Sequence, residues 1–296
     1  MDYSRSFRRT LGLFFCLIAL CLMSLAAYVR QPQVEKDVVY GTINGTKLLL
    51  DVYRPQGFTG KRPGVVLVHG GGWVAGDKGY YAPVGNLLAS HGYVAFSVNY
   101  RLAPVFHYPA QVDDVQRAVR WIRAHAADYD LDPDRLGALG DSAGGYLVAM
   151  LGTRDTRDNS DKDLAGYSSR VQCVVDLYGP TDFTVPTTSP GVTAQGLQFL
   201  KAFFGKMPEE APALYREGSP IISVNKQSAP FLIFHGTADP LVPVDQSERL
   251  YKALKAAGVE TALILLYDQS HGFGGPLAPG LVAAAAGDFL NHYLKP

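Results

Sequence analysis

The sequence predicts an α/β protein built on one eight-stranded, mostly parallel sheet with helices packed on both faces. Three observations carry this. From residue 37 onward, short apolar runs rich in β-branched and aromatic residues alternate with longer stretches of helical periodicity. After the first two runs the connections are long enough to hold a helix, which parallel strands need and hairpins do not. Glycine-rich turns follow several of the runs directly, at the strand ends where open sheets of this kind bind ligands.

The elements follow in order. Strands at 38–43 and 48–53 form an antiparallel pair, because Asn44-Gly45 between them supplies a tight hairpin turn. Next come a strand at 65–69, a helix at 82–91, a strand at 94–99 and a long helix at 108–128 that ends before Asp132-Pro133. A strand at 136–139, a helix at 143–153 and a strand at 171–177 follow. A strand at 231–235, a helix at 244–257, a strand at 261–267 and a helix at 279–294 close the chain. Residues 181–223, rich in Pro, Gly, Ser and Thr around an apolar run at 197–204, are the least regular part. They are expected to be a small cap over the sheet's carboxyl edge or a plain surface excursion.

A chain of 296 residues with 47% hydrophobic and 18% charged residues suits a single large core. Its 27 basic residues balance 27 acidic ones, so nothing draws it electrostatically toward nucleic acid. Arg5, Arg8 and Arg9 precede an apolar run at 11–29 that ends near Ser24, Ala26 and Ala27. This pattern predicts an export signal over 1–30, giving a secreted or periplasmic protein, with a membrane anchor at 11–29 as the alternative. Residues 31–296 are then the catalytic domain. Of the three cysteines, only Cys173 lies in that domain, so it can form no internal disulfide.

The sharpest local signal is Gly140-Asp141-Ser142-Ala143-Gly144-Gly145, between a predicted strand and a predicted helix. Glycines at 140 and 144 permit a turn tight enough to present the Ser142 hydroxyl above the sheet as a nucleophile. The alternative is that Ser142 only caps the helix. His69-Gly70-Gly71-Gly72-Trp73 follows another strand. Its glycines let backbone N–H groups approach a reacting carbonyl, so Gly71 and Gly72, with Ala143, are assigned to an oxyanion hole. His69 is read as structural, tying down that loop.

Two later strand ends supply the other groups. Gly236-Thr237-Ala238-Asp239-Pro240 places a carboxylate, and Asp268-Gln269-Ser270-His271-Gly272-Phe273 places an imidazole. The order Ser142, Asp239, His271 is that of a nucleophile, an orienting acid and a base. Asp182, Asp268 and Asp245 compete for the role of acid. Asp141, Asp113 and Asp114 are read as capping and local hydrogen-bonding groups. His91, His107, His125, His235 and His292 fall in helix or strand contexts and are read as packed or solvated. Trp73, Tyr100 and Phe273 are candidates to line a substrate pocket. No set of Cys, His and carboxylate residues has metal-binding spacing, so no metal is expected.

Through residues 69–73, 99–104, 140–145 and 271–273 the chain resembles the α/β-hydrolase fold, in particular the hormone-sensitive-lipase-like and feruloyl-esterase-like (BD-FAE-like) carboxylesterases. The likeness runs from about residue 39 to residue 293. It implies a serine carboxylesterase without cofactor, acting on a small-molecule or carbohydrate ester, and the same oxyanion donors. Two features depart from the lipase-like group. Few residues lie between the predicted export segment and the first strand, so a helical N-terminal cap is not expected. Asp239 followed by Val242-Pro243 is closer to feruloyl and acetylxylan esterases, which points to acetyl, hydroxycinnamoyl or other short acyl esters. The alternatives are an amidase, arylformamidase or peptidase on the same scaffold, and a non-catalytic binding domain.

Overall fold

A computed structural model of the chain describes residues 31–274 and 278–295; the expected N-terminal signal or anchor lies outside them. The expected eight strands form one sheet: β1 (Gln33–Ile43), β2 (Thr46–Arg54), β3 (Arg62–Val68), β4 (Val94–Val98), β5 (Leu131–Asp141), β6 (Val174–Leu177), β7 (Phe231–Gly236) and β8 (Thr261–Leu266). Their order is β1-β2-β4-β3-β5-β6-β7-β8. β1 and β2 are antiparallel, as are β2 and β4; the other neighbours are parallel. Asn44 and Gly45 both adopt positive φ in the β1–β2 turn, the conformation that the Asn-Gly pair predicts.

The helices are α1 (Ala82–Ser90), α2 (Ala110–Ala124), α3 (Ala143–Thr153), α4 (Ala194–Phe204), α5 (Pro212–Glu217), α6 (Asp245–Ala256) and α7 (Ala278–Leu294). Alternate strand residues face opposite sides, so a strand covered on both faces must be apolar at every position. In β3, Val66 and Val68 pack with residues of α2, α3 and α6, whereas Val65 and Leu67 pack with residues of α1 and α7. All eleven residues of α3 are buried, which explains its unbroken apolar sequence.

Boundaries differ from expectation where side chains carry no alternating signal. β1 begins at Gln33 because the polar, exposed residues there still pair with β2 through the backbone. β5 begins at Leu131, whose side chain is buried and which pairs with Arg62 of β3. The long helix ends at Ala124 and continues as a separate 3₁₀ turn, Ala126–Tyr129. Within 181–223 lie α4, α5 and the 3₁₀ turn Pro220–Ser223, and Phe203 and Phe204 enter the same core as α3.

Candidate active site

Ser142 sits between β5 and α3 with φ 52° and ψ −118°, a strained conformation for a residue with a side chain. Its hydroxyl makes no capping bond, which removes the helix-cap reading. The turn closes against neighbouring backbone: a Cβ at Gly144 would run into the Val68 carbonyl oxygen, and one at Gly140 into that of Gly144. The Ser142 N–H donates to Leu177 O of β6 at 2.8 Å, fixing the turn to the adjacent strand.

His271, after β8, reaches across to this turn. Its Nε2 lies 3.0 Å from Ser142 Oγ, and its Nδ1 lies 2.7 Å from Asp239 Oδ2. A carboxylate only accepts, so Nδ1 donates to Asp239, and Nε2 is free to accept the serine proton. The arrangement can pass a proton from hydroxyl to imidazole as Oγ attacks a carbonyl. Asp239 Oδ1 accepts from Leu241 N–H at 2.8 Å and Val242 N–H at 2.9 Å. Burial would raise the Asp239 carboxyl, but hydrogen bonds from His235, His271 and Val242 N–H outweigh it and hold the group well below the usual carboxylate range.

The sequence-predicted rival Asp182 lines the cavity beside Ser142 but makes no bond to His271. Its Oδ1 accepts from Thr184 N–H and Oγ1, and its Oδ2 faces Arg249 at 3.4 Å. Asp114 is a correction: it caps nothing, and instead forms a buried two-pronged pair with Arg101, Nη2 to Oδ1 at 2.7 Å and Nε to Oδ2 at 2.8 Å. That pair pins residues 99–104 to α2.

The glycine loop approaches Ser142 from β3. Gly71 and Gly72 have φ 106° and 60°, and the N–H groups of Gly71, Gly72 and Ala143 have no protein acceptor among the described residues. A Cβ at Gly72 would strike the Phe199 ring of α4. His69 is buried, donates from Nδ1 to Gly70 O at 2.8 Å and stacks on Tyr100 at 4.4 Å, which holds the loop as expected of it. Asp141 does more than local capping. Its Oδ1 accepts from Gly70 N–H at 3.0 Å and from Tyr81 OH at 2.8 Å, clasping the loop to the serine turn.

A cavity of about 100 Å³ opens beside Ser142, Ala143 and Gly72, with Trp73, Phe199, Leu200 and Val242 among its apolar walls. Trp73 therefore lines it. Tyr100 does not: it is buried behind the loop and donates its hydroxyl proton to His69 O at 3.0 Å. Phe273 packs edge-on against Tyr178, which in turn contacts the His271 ring, so Phe273 supports the histidine loop and stands outside this cavity. Among the described residues no group of three or more His, Cys, Asp or Glu side chains is placed to hold a metal ion.

Sequence reading missed two buried groups. His235, in β7, faces Asp239; the only signal was a histidine four residues before that aspartate. Asp176, in β6, is fully buried, with Oδ1 accepting from Gly179 N–H at 2.9 Å and Oδ2 without a partner among the described residues. Burial pushes its carboxyl from 3.8 up to about 6. The folded state therefore holds this proton longer than the unfolded chain does. Stability from this group is complete below the unfolded value of 3.8 and declines as pH rises, reaching its full loss above about 6. That loss is about 3 kcal/mol at about 1.4 kcal/mol per pH unit. Asp176→Asn should consequently gain about 3 kcal/mol relative to the parent between about pH 3.5 and about pH 8. Denaturant unfolding at both pH values measures this, and a stability difference that does not change with pH would refute it.

The comparisons with known proteins bear on the family and the fold. Esterase LipQ of Mycobacterium tuberculosis is 32% identical over 88% of the chain, which spans 63% of LipQ's own length. A truncated carbohydrate esterase from gut microbiota superposes with a TM-score of 0.79 at 26% identity, covering 91% of this chain and 99% of that one. Thermogutta terrifontis esterase 2 phosphonylated by sarin superposes with a TM-score of 0.78 at 27% identity, covering 90% and 98% respectively. The sheet, its helices and these neighbours are those of the α/β-hydrolase fold. The BD-FAE family model matches residues 50–254, which take in the glycine loop, the serine turn and Asp239, and the chain belongs to that family.

Proposed function

We propose that the protein is a serine carboxylesterase for short aliphatic acyl esters. The observation that carries this reading is the unbroken row Ser142 Oγ, His271 Nε2, His271 Nδ1, Asp239 Oδ2 beside backbone N–H groups that lack protein acceptors among the described residues. His271 takes the Ser142 proton as Oγ attacks the ester carbonyl, and the oxyanion that develops is met by the N–H groups of Gly71, Gly72 and Ala143. His271 then gives the proton to the departing alcohol. Water, deprotonated by the same imidazole, releases the acid from the acyl-enzyme. Asp239 keeps the ring in the Nδ1–H tautomer and stabilises its cationic form. The likeness to an esterase that sarin phosphonylates supports a reactive nucleophile in this chain.

The acyl side follows from space. A cavity of about 100 Å³ is smaller than the ~150 Å³ void that takes up benzene in an engineered protein core. Acetyl to butyryl chains fit this volume better than a hydroxycinnamoyl ring, and Phe199 lying over Gly72 limits its widening. The expected result is a kcat/KM for p-nitrophenyl acetate and butyrate at least about 10-fold above those for the octanoate and for methyl ferulate, since each misfitting group costs about 1–3 kcal/mol. A ferulate value equal to the acetate value would overturn the acyl assignment. A protein inert to all four, and unlabelled at Ser142 by a fluorophosphonate, would overturn the esterase.

A further inference from the structure

We propose that His235, oriented by Ser247, is a positioning residue that locks the Asp239 carboxylate against His271. The proposal rests on the esterase reading above and extends the hydrogen-bonded row past the aspartate.

His235 and Ser247 are both fully buried. His235 Nε2 lies 2.9 Å from Val242 O and 3.3 Å from Asp239 Oδ2. Both are acceptors, so Nε2 must carry a proton, directed chiefly at Val242 O with Asp239 Oδ2 as the longer contact. In the neutral ring Nδ1 is then an acceptor, and it is met by Ser247 Oγ at 2.7 Å, whose hydroxyl donates. One tautomer thus satisfies every contact, and Ser247, in the first turn of α6, selects it.

The consequence for Asp239 is a carboxylate with donors on all sides. Oδ2 takes His271 Nδ1–H at 2.7 Å, with His235 Nε2 as a longer neighbour at 3.3 Å, and Oδ1 takes Leu241 and Val242 N–H. A carboxylate held by three hydrogen bonds and flanked by a further N–H cannot swing about its Cβ–Cγ bond without losing a bond. The His235 bond to Val242 O also holds the strand β7 end to the turn that supplies those two N–H groups. The titratable groups around this row are Asp176 from β6, which faces His235, Tyr178 after β6, which interacts with Asp239, and His271 after β8, which also interacts with Asp141 of the serine turn.

The test compares wild type with His235→Leu, His235→Gln and Ser247→Ala on p-nitrophenyl acetate, with thermal unfolding to monitor the fold. His235→Leu removes the donor and should lower kcat about 10- to 100-fold with little change in KM, the scale expected when a reacting group is misplaced by a fraction of an ångström to an ångström. Losing that donor leaves the Asp239 charge less neutralised, so His271 binds its proton more tightly and the acid limb of kcat/KM moves to higher pH. His235→Gln can present an amide N–H near the Nε2 position and should recover most of kcat. Ser247→Ala should shift kcat and the acid limb in the same direction by a smaller amount, and it decides the matter where the leucine variant does not fold. Wild-type kcat and pH profile in His235→Leu or Ser247→Ala would overturn the proposal. So would a loss of activity with an unshifted limb and no rescue by glutamine, which is the mark of a merely structural residue. If Ser142→Ala is as active as wild type, the esterase reading fails first; if that variant is inactive while the His235 variants behave as wild type, only this proposal fails.

Discussion

Ser142→Ala should lose about 10⁶-fold in kcat on p-nitrophenyl acetate while binding substrate with little change in KM. The hydroxyl is the only atom removed, and nothing in the fold depends on it: it makes no helix-capping bond, and the strained backbone at φ 52° is set by the glycines around it and by the Leu177 carbonyl. Unfolding should therefore be nearly unaffected. The residual rate over water should come from the N–H groups of Gly71, Gly72 and Ala143, which still polarise a bound carbonyl. Because Ser142 and His271 act as one unit, the double variant Ser142→Ala/His271→Ala should be no slower than Ser142→Ala alone. A Ser142→Ala rate within about tenfold of wild type would remove the nucleophile from the proposal, and additive losses in the double variant would separate the two residues.

How much of this was legible in the sequence depended on whether a side chain's partner was local. The strands of the sheet centre were legible because burial on both faces demands an uninterrupted apolar run, as in Val65 to Val68 and Phe231 to Phe234. The serine turn was legible because its glycines are required by close backbone approach, which no other residue type permits at 140 and 144. The first strand's N-terminal half was not, since residues 33–35 are exposed, pair with β2 through the backbone and show no alternation before a register shift at 36–37. Asp141 looked like a local capping group because its real partners, Gly70 and Tyr81, lie 71 and 60 residues away. His235 was passed over for the same reason. A histidine inside an apolar strand reads as packing until the turn that brings Asp239 and Val242 back onto it is known. Tyr100 and Phe273 followed motifs at strand ends, yet their rings turn away from the cavity to support the loops that carry the reacting groups.

The choice between Asp239 and Asp182 could not be made from position, as both follow strands, and it yields the second large effect. Asp239→Asn should lower kcat about 10⁴-fold, and Asp182→Asn should change it by less than about threefold, as expected for a carboxylate bonded to Thr184 and Arg249 and not to His271. An asparagine at 239 meets four donors: His271 and His235 on one side, Leu241 and Val242 N–H on the other. Its amide has one accepting end only. Turned so that oxygen meets the backbone N–H pair, it presents NH₂ to His271 Nδ1, which must then give up its proton to Nε2. A protonated Nε2 cannot accept from Ser142 Oγ, so the base is lost while the ring stays in place. Turned the other way, the amide opposes two backbone donors and loosens the turn that holds residue 239. Neither orientation restores the wild-type network, whereas Asp182 gives up contacts only with Thr184 and a half-exposed Arg249. Comparison of kcat for the two variants decides between them: a severe loss in Asp182→Asn with near-normal turnover in Asp239→Asn would reassign the acid to the end of β6. The expected opposite result would tie the rate to the tautomer of a single imidazole ring.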